Sequence, residues 1–172
     1  MTICVYLVLN FFIPKSNNIR ISAKLIEIKN EKQIVYEAIP VEVQNEWSLE
    51  IPKINLKATI KEGTDEENLN KYIGHFEETA LINGNIGLAA HNRGYKVNYF
   101  SRIKELDIGD KIFYTFNGQK VEFEVKNCGI IEETDWSKLE NTKDIKLTLI
   151  TCVENKPEQR RFVQAEKIKM EE

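Results

Sequence analysis

Three cysteines and two histidines are the side chains of this sequence that could act as a nucleophile and its base. Cys152 ends the apolar run TLITC, and the residues that follow it, VENKPEQRR, are almost all polar. This change places the thiol at the edge of the core, where a thiolate is accessible. Cys4 lies in an apolar N-terminal run and Cys128 precedes a glycine, and free cysteine is most often a small buried apolar residue. Cys152 is therefore the candidate nucleophile, and Cys128 is expected to be inert.

His91 is the candidate acid–base residue. It ends the apolar run GLAAH and precedes the polar turn Asn92-Arg93-Gly94, so its side chain is expected to face out of the domain at the end of a strand. An imidazole beside a thiol can accept and return a proton near neutral pH. His75, in YIGHFEETA, lies between a predicted helix and the next strand, and we expect a structural role for it.

Arg160 and Arg161 begin the apolar run that follows the cysteine, RRFVQAEKI. Two strands joined by a short loop bring the first residues of the second strand alongside the end of the first, within reach of Cys152. Arginine stays protonated, so it cannot act as a base, but it can donate hydrogen bonds to an oxyanion. Side chains alternate between the faces of a strand, so only one of the two arginines can point at Cys152.

The composition and the missing motifs exclude several other functions. The chain has 24 Lys and Arg against 27 Asp and Glu, a net charge of −3, whereas a protein that binds the phosphate backbone carries a basic excess. Ligand clusters with zinc spacing and glycine-rich phosphate loops are absent from the sequence. An odd number of cysteines without C-x-x-C does not suggest a disulfide scaffold. We therefore predict no nucleic-acid partner and no metal site.

Short apolar runs separated by turns predict a mostly β domain from residue 49 to the end. LEIPKINLKATI is typical of one opening or edge strand, and the runs on either side of Asn117-Gly118 predict a hairpin. KLTLITCV and RRFVQAEKI predict two further strands. Two short helices are expected, one capped by Thr64 or Asp65 and one in YFSRIKELDIGD. Such spacing is typical of an antiparallel β-barrel or sandwich.

The N-terminal third of the sequence has a different pattern of apolar and charged residues from the rest. Residues 1–14 contain the apolar run ICVYLVLNFFI, which is shorter than the roughly 20 residues that cross a bilayer. It predicts either a minimal membrane anchor or a packed terminal segment. Residues 15–48 alternate apolar and charged stretches and predict an N-terminal arm or strands. The catalytic domain is then expected at residues 49–172.

Residues 49–168 resemble the sortase family, the cysteine transpeptidases of Gram-positive bacterial surfaces. TLITC at 148–152 is similar to the nucleophile strand of the family, whose pattern is T-L-x-T-C. GLAAHN at 87–92 is similar to its histidine strand, and His91 precedes Cys152 by 61 residues, as in the family.

Other stretches extend the resemblance: IPKINL, GTDEENLNKYIGHF and ELDIGDKI are similar to family landmarks. The short loops and GTDEENL are most similar to class D, with class A next. One departure is Asn92, because many relatives carry Arg or His directly after the histidine.

The resemblance implies a closed eight-stranded β-barrel with one or two short helices. It also implies the site: Cys152 as nucleophile, His91 as acid and base, and Arg160, favoured over Arg161, as the oxyanion donor. Thr151 would pack under the substrate threonine or contact it. No cofactor is implied; some relatives use Ca²⁺, but this sequence has no acidic cluster that calls for it.

The reaction implied is cleavage of an LPxTG-type sorting signal between Thr and Gly. A thioacyl-enzyme would form and an amine, from a peptidoglycan precursor or a pilin lysine, would resolve it. The partners implied are therefore a sorting-signal peptide and an amine acceptor, with a monomeric enzyme on the extracellular face of the membrane of a Gram-positive bacterium. The alternatives are an inactive β-barrel that binds peptides, or a cysteine peptidase that releases its product to water.

Overall fold

A computed structural model describes residues 46–168, and eight strands account for about half of them. The strands are β1 (Trp47–Ile51), β2 (Leu56–Glu62), β3 (Ile73–His75), β4 (Asn85–Ala89), β5 (Lys111–Phe116), β6 (Gln119–Glu132), β7 (Lys146–Val153) and β8 (Lys156–Lys167). One α-helix, α1 (Glu66–Leu69), and three short 3₁₀ helices, at Pro52–Ile54, Ile103–Glu105 and Ser137–Leu139, lie between them.

The strands close into a barrel in the order β1-β2-β3-β4-β7-β8-β6-β5. The predicted eight-stranded barrel is confirmed. The expectation of a purely antiparallel sheet is wrong for two pairs, because β2 with β3 and β4 with β7 are parallel. Parallel neighbours need a crossover connection. The segment that contains α1 supplies one crossover, and the β5–β6 hairpin lies within the other.

Alternating side chains fill the barrel interior. Leu147 and Leu149 of β7 and Val163 and Ala165 of β8 are at most 1% exposed, and the residues between them face outward. Each fully buried aliphatic or aromatic side chain of this kind stabilises the fold by roughly 1.5–3 kcal/mol. The interior also contains the following residues: Leu49, Ile51, Ile60, Ile73, Ile86, Leu88, Ile112, Tyr114, Phe123 and Val125.

Two local predictions are confirmed in detail. The hairpin turns at Asn117 and Gly118, whose φ angles of 49° and 76° are both left-handed, as a two-residue turn between twisted strands requires. Asp65 caps α1, because its carboxylate accepts a hydrogen bond from the Asn68 backbone N–H at 3.1 Å.

Two others are corrected. LEIPKINLKATI forms two antiparallel strands, β1 and β2, because Pro52 has no N–H to donate and Asn55 adopts a left-handed φ of 58° that turns the chain. YFSRIKELDIGD forms only the 3₁₀ turn Ile103–Glu105. Its apolar side chains Phe100 and Leu106 are nevertheless buried.

The predictions for residues 1–14, and for all but the last residues of 15–48, lie outside the described residues. None of the helices between residues 46 and 168 has the length and apolar character that crossing a bilayer requires. The division at residues 14 and 48 stays a prediction; within the described part, the first strand begins at Trp47.

Asn85 fastens the connection between β6 and β7 to the outer face of the barrel. Its side chain is 1% exposed, and its Nδ2 donates to the carbonyl oxygens of Lys138 at 2.7 Å and Glu140 at 3.0 Å. The Thr148 hydroxyl donates to its Oδ1 at 2.7 Å. Three hydrogen bonds therefore depend on one buried amide.

Asn85→Ala should lower the free energy of unfolding by about 3 kcal/mol, because buried acceptors lose their donor. Equilibrium urea unfolding measures this. Asn127→Ala, at an exposed position of β6, is the matched control and should change it by less than about 0.5 kcal/mol. Equal effects of the two substitutions would contradict the role given to Asn85.

Candidate active site

The parallel pairing of β4 with β7 brings His91 and Cys152 to the same end of the barrel. The ladder ends with the pair Ala89 and Ile150. His91 and Cys152 each follow two residues after this last pair. Two bonds continue the contact beyond the ladder. The Ala90 backbone N–H donates to the Ile150 carbonyl at 3.4 Å, and the Thr151 hydroxyl donates to the Ala90 carbonyl at 2.7 Å.

The antiparallel register of β7 and β8 pairs Cys152 with Arg160 and Thr151 with Arg161. Residues that oppose each other in such a ladder project from the same face. Thr151 has the parity of the interior leucines of β7 and is 4% exposed, whereas the Cys152 side chain is exposed on the outer face. Arg160 therefore shares the face of the thiol, and Arg161 does not.

A bulge separates Cys152 from the turn that follows it. Val153 pairs with Lys156 although Cys152 pairs with Arg160, so residues 157–159 of β8 are extra. Bulges of this kind redirect a side chain locally and are common beside functional sites.

Arg160 is held beside this bulge by three acceptors. Its guanidinium donates to the Pro157 carbonyl at 2.5 Å, the Gln159 carbonyl at 3.0 Å and the Glu133 carboxylate at 2.9 Å. The arginine side chain is 27% exposed. The cation is thus fixed on the outer face of β8, next to the strand that ends with Cys152.

The His91 ring is half-buried and stacks on Tyr95, with centroids 3.5 Å apart and planes within 4°. Its Nε2 is buried and has no hydrogen-bond partner among residues 46–168. Burial lowers the pKa of His91 below its ordinary value, and the negative charge of Glu66 opposes this shift only in part. The imidazole is therefore mainly neutral at pH 7, with a nitrogen able to accept a proton.

Thr151 faces inward and uses its hydroxyl to hold the residue before His91. A role beneath the substrate threonine, or in contact with it, stays a prediction. The sequence analysis names Asn92 and Arg93 in the turn after His91 but gives no role to them, to Tyr95 or to Glu133. The first three follow His91 in a polar turn, which is a usable signal, whereas nothing in the sequence connects Glu133 with an arginine 27 residues later.

His75 has the surroundings of a structural residue. It is 1% exposed, its Nδ1 lies 2.7 Å from a carboxylate oxygen of Glu62, and its Nε2 lies 3.1 Å from the Ala80 carbonyl. Both ring nitrogens are thus engaged within the fold.

Cys128 lies on β6, with its Sγ 3.7 Å from the Leu106 carbonyl. The fold brings Asp107 and Arg161 near it, which the sequence does not show. Burial, aided by Asp107, raises the pKa of the Cys128 thiol, and Arg161 offsets this in part. A raised pKa leaves less thiolate, which agrees with an inert thiol.

The described residues contain no group of three or more His, Cys, Asp or Glu side chains that could hold a metal ion. The strand registers bring the positions of Cys152, His91 and Arg160 to one end of a closed mixed β-barrel. Their roles as nucleophile, base and oxyanion donor stay predictions.

A family model described as the sortase domain matches residues 49–168. The chain belongs to the sortase family. It is 31% identical to Sortase A of Bacillus anthracis over 118 residues, which are 68% of this chain and 56% of that protein. It is 34% identical to Sortase D of Bacillus subtilis over 108 residues, 60% of this chain and 52% of that protein. The chain thus spans about half the length of these relatives. One relative is a Sortase A and the other a Sortase D, the two classes that the sequence resembles.

The fold is also that of a solved relative. The structure of a Clostridium perfringens Sortase D5 transpeptidase superposes with a TM-score of 0.66 at 29% identity. The match covers 74% of this chain and 83% of that one.

The pKa of His91 should lie below the ordinary value of about 6.5, because burial disfavours the charged ring. A pH titration of the imidazole signals by NMR measures it. Tyr95→Ala uncovers one face of the ring and should raise this pKa, while the signals of His75 stay unchanged and act as the internal control. A wild-type midpoint above about 6.5 would contradict the desolvated ring.

Proposed function

We propose that this protein is a sortase-type cysteine transpeptidase. It cleaves an LPxTG-type sorting signal between Thr and Gly and joins the threonine carbonyl to an amine. The observation that carries the proposal is the register: Cys152 is exposed directly across from Arg160, at the end of the strand whose parallel partner leads to His91.

The first half-reaction forms a thioester. The Cys152 thiol gives its proton to neutral His91, and the thiolate attacks the threonine carbonyl carbon. The resulting oxyanion accepts hydrogen bonds from Arg160. In other enzymes, removing one oxyanion donor raises the activation free energy by roughly 3–4 kcal/mol. The C–N bond then breaks, the imidazolium protonates the departing glycine amine, and the thioacyl-enzyme remains.

The second half-reaction reverses the roles. An acceptor amine loses a proton to His91 and attacks the thioester carbonyl, and the Cys152 thiolate leaves. If water replaces the amine, the enzyme is a cysteine peptidase, which is the first alternative function. The second alternative is a barrel that binds peptides without cleaving them. The exposed thiol and the opposed arginine favour the transpeptidase over a site that only binds.

Family membership supports the remaining assignments. The proposed partners are sorting-signal peptides of surface proteins or pilins and an amine of the cell wall or of a pilin. We place the enzyme on the outer surface of a Gram-positive bacterium, attached through residues 1–14, with residues 15–48 as an arm or strands and 49–172 as the catalytic domain. Thr151 is assigned to the substrate site, and neither Ca²⁺ nor another cofactor is assigned.

Intact-mass spectrometry tests the proposal. The protein is mixed with an LPxTG peptide, with and without triglycine. The wild type should gain the mass of the peptide up to threonine, and triglycine should convert the adduct to a ligated peptide. Cys152→Ala should do neither, and Cys128→Ala, which removes another exposed thiol, should behave as the wild type.

Two results would contradict this proposal. Release of peptide to water with no capture by triglycine or other amines would favour the peptidase. Binding of several sorting peptides without cleavage would favour the inactive barrel.

The two arginines can be separated by matched substitutions. Arg160→Lys should lower kcat by about 10²–10³, because an ammonium cannot replace the guanidinium at the oxyanion. Arg161→Lys should stay within about threefold of the wild type, because this side chain has the inward parity of Thr151. A larger loss at Arg161 would transfer the oxyanion role to that residue.

A further inference from the structure

Three side-chain hydrogen bonds join the turn after His91 to the turn after Cys152. Asn92 donates from Nδ2 to the Cys152 carbonyl at 2.6 Å. Arg93 donates to the Glu154 carboxylate at 2.5 Å and to the Asn155 side-chain oxygen at 2.7 Å. We call this set of five residues, 92, 93, 152, 154 and 155, the turn clamp.

The turn clamp joins the two chain segments beyond the last paired residues of β4 and β7. The β4–β7 ladder ends at Ala89 and Ile150, and the next backbone bond, from Ala90 to Ile150, is long at 3.4 Å. The Thr151 hydroxyl also holds the Ala90 carbonyl at 2.7 Å, and the His91 carbonyl accepts from the Phe100 backbone N–H at 3.0 Å. The contacts between the two turns add to these bonds in setting the position of His91 relative to Cys152.

The side of the clamp that follows Cys152 is stiff. Glu154 and Asn155 are the whole connection between β7 and β8, and Asn155 has a left-handed φ of 59°. A two-residue turn of this kind has little freedom. The other side carries the histidine itself, with Tyr95 of the same turn stacked on the ring.

We propose that Asn92 and Arg93 are positioning residues, which set the approach of His91 to the Cys152 thiol. The inference rests on the proposed transpeptidase function, because its value lies in proton transfer between these two groups. Misplacement of a reacting group by about 1 Å can cost up to 10²-fold in rate. The clamp is suited to prevent such displacement, because it bonds directly to the backbone of the nucleophile.

Stability alone does not account for the clamp. The side chains of Arg93 and Glu154 are 50% and 57% exposed, and ion pairs this exposed contribute little to the free energy of unfolding. Removing the clamp is therefore expected to lower the rate of the reaction more than the melting temperature.

Asn92→Ala and Arg93→Ala should each lower kcat for thioacyl formation by about tenfold and change KM by less than about twofold. Arg93→Lys keeps the charge opposite Glu154 and should recover part of the rate. Arg102→Ala is the matched control: it breaks an ion pair with Glu105 at the same 50% exposure of the arginine, away from the clamp, and should leave kcat unchanged.

A second readout does not depend on turnover. The chain has two histidines, so NMR can follow each ring separately. Loss of the clamp should raise the pKa of His91 towards its ordinary value by letting water reach the ring, while the His75 signals stay fixed. If a variant fails to fold, Glu154→Gln removes the same ion pair from the other side.

The outcomes separate the two claims. Wild-type kcat and an unchanged His91 pKa in both alanine variants would overturn the clamp while leaving the transpeptidase intact. A wild type that forms no thioacyl adduct would remove the proposed function. The NMR titration would then decide whether the clamp positions His91: a raised pKa supports it and an unchanged pKa overturns it.

Discussion

The parallel pairing of β4 with β7 is the constraint on which the site depends. Parallel neighbours end at the same edge of a sheet, so the residues that follow Ala89 and Ile150 must meet there. The antiparallel β8 then begins at that edge and supplies Arg160. The hairpin of β7 and β8 and the sequence-distant β4 thereby bring a thiol, a guanidinium and an imidazole to one end of the barrel.

Strand alternation separates the stabilising side chains of β7 from the reactive one. Leu147, Leu149 and Thr151 face the interior, while Cys152 projects outward and is exposed. The outer face is covered nearer the start of the strand, where Asn85 and Thr148 bind the β6–β7 connection. Cys152 is the exposed residue of β7, next to the end of the strand, where the β6–β7 connection does not cover it.

The sequence predicts elements whose signals are local. The apolar run KLTLITCV predicts β7 to the residue, and Asn117-Gly118 predicts its hairpin, because apolar runs and turn chemistry involve neighbours in the sequence. The parallel pairs and the bulge after Cys152 could not be predicted, since both depend on which distant strand lies alongside. The contact of Glu133 with Arg160 could not be predicted for the same reason. Asn92 lies next to His91 in the sequence, but the sequence does not show that its side chain donates to the Cys152 carbonyl.

Selective labelling of the three cysteines tests the central claim most directly. The folded protein is treated with an LPxT peptide that ends in an electrophile, and the modified thiol is identified by peptide mass spectrometry. The account predicts an adduct on Cys152 and none on Cys128 or Cys4, because Cys152 is the thiol that lies opposite Arg160 and near His91. Labelling of Cys128 at the same rate, or of Cys152 at an unchanged rate in His91→Ala, would contradict it.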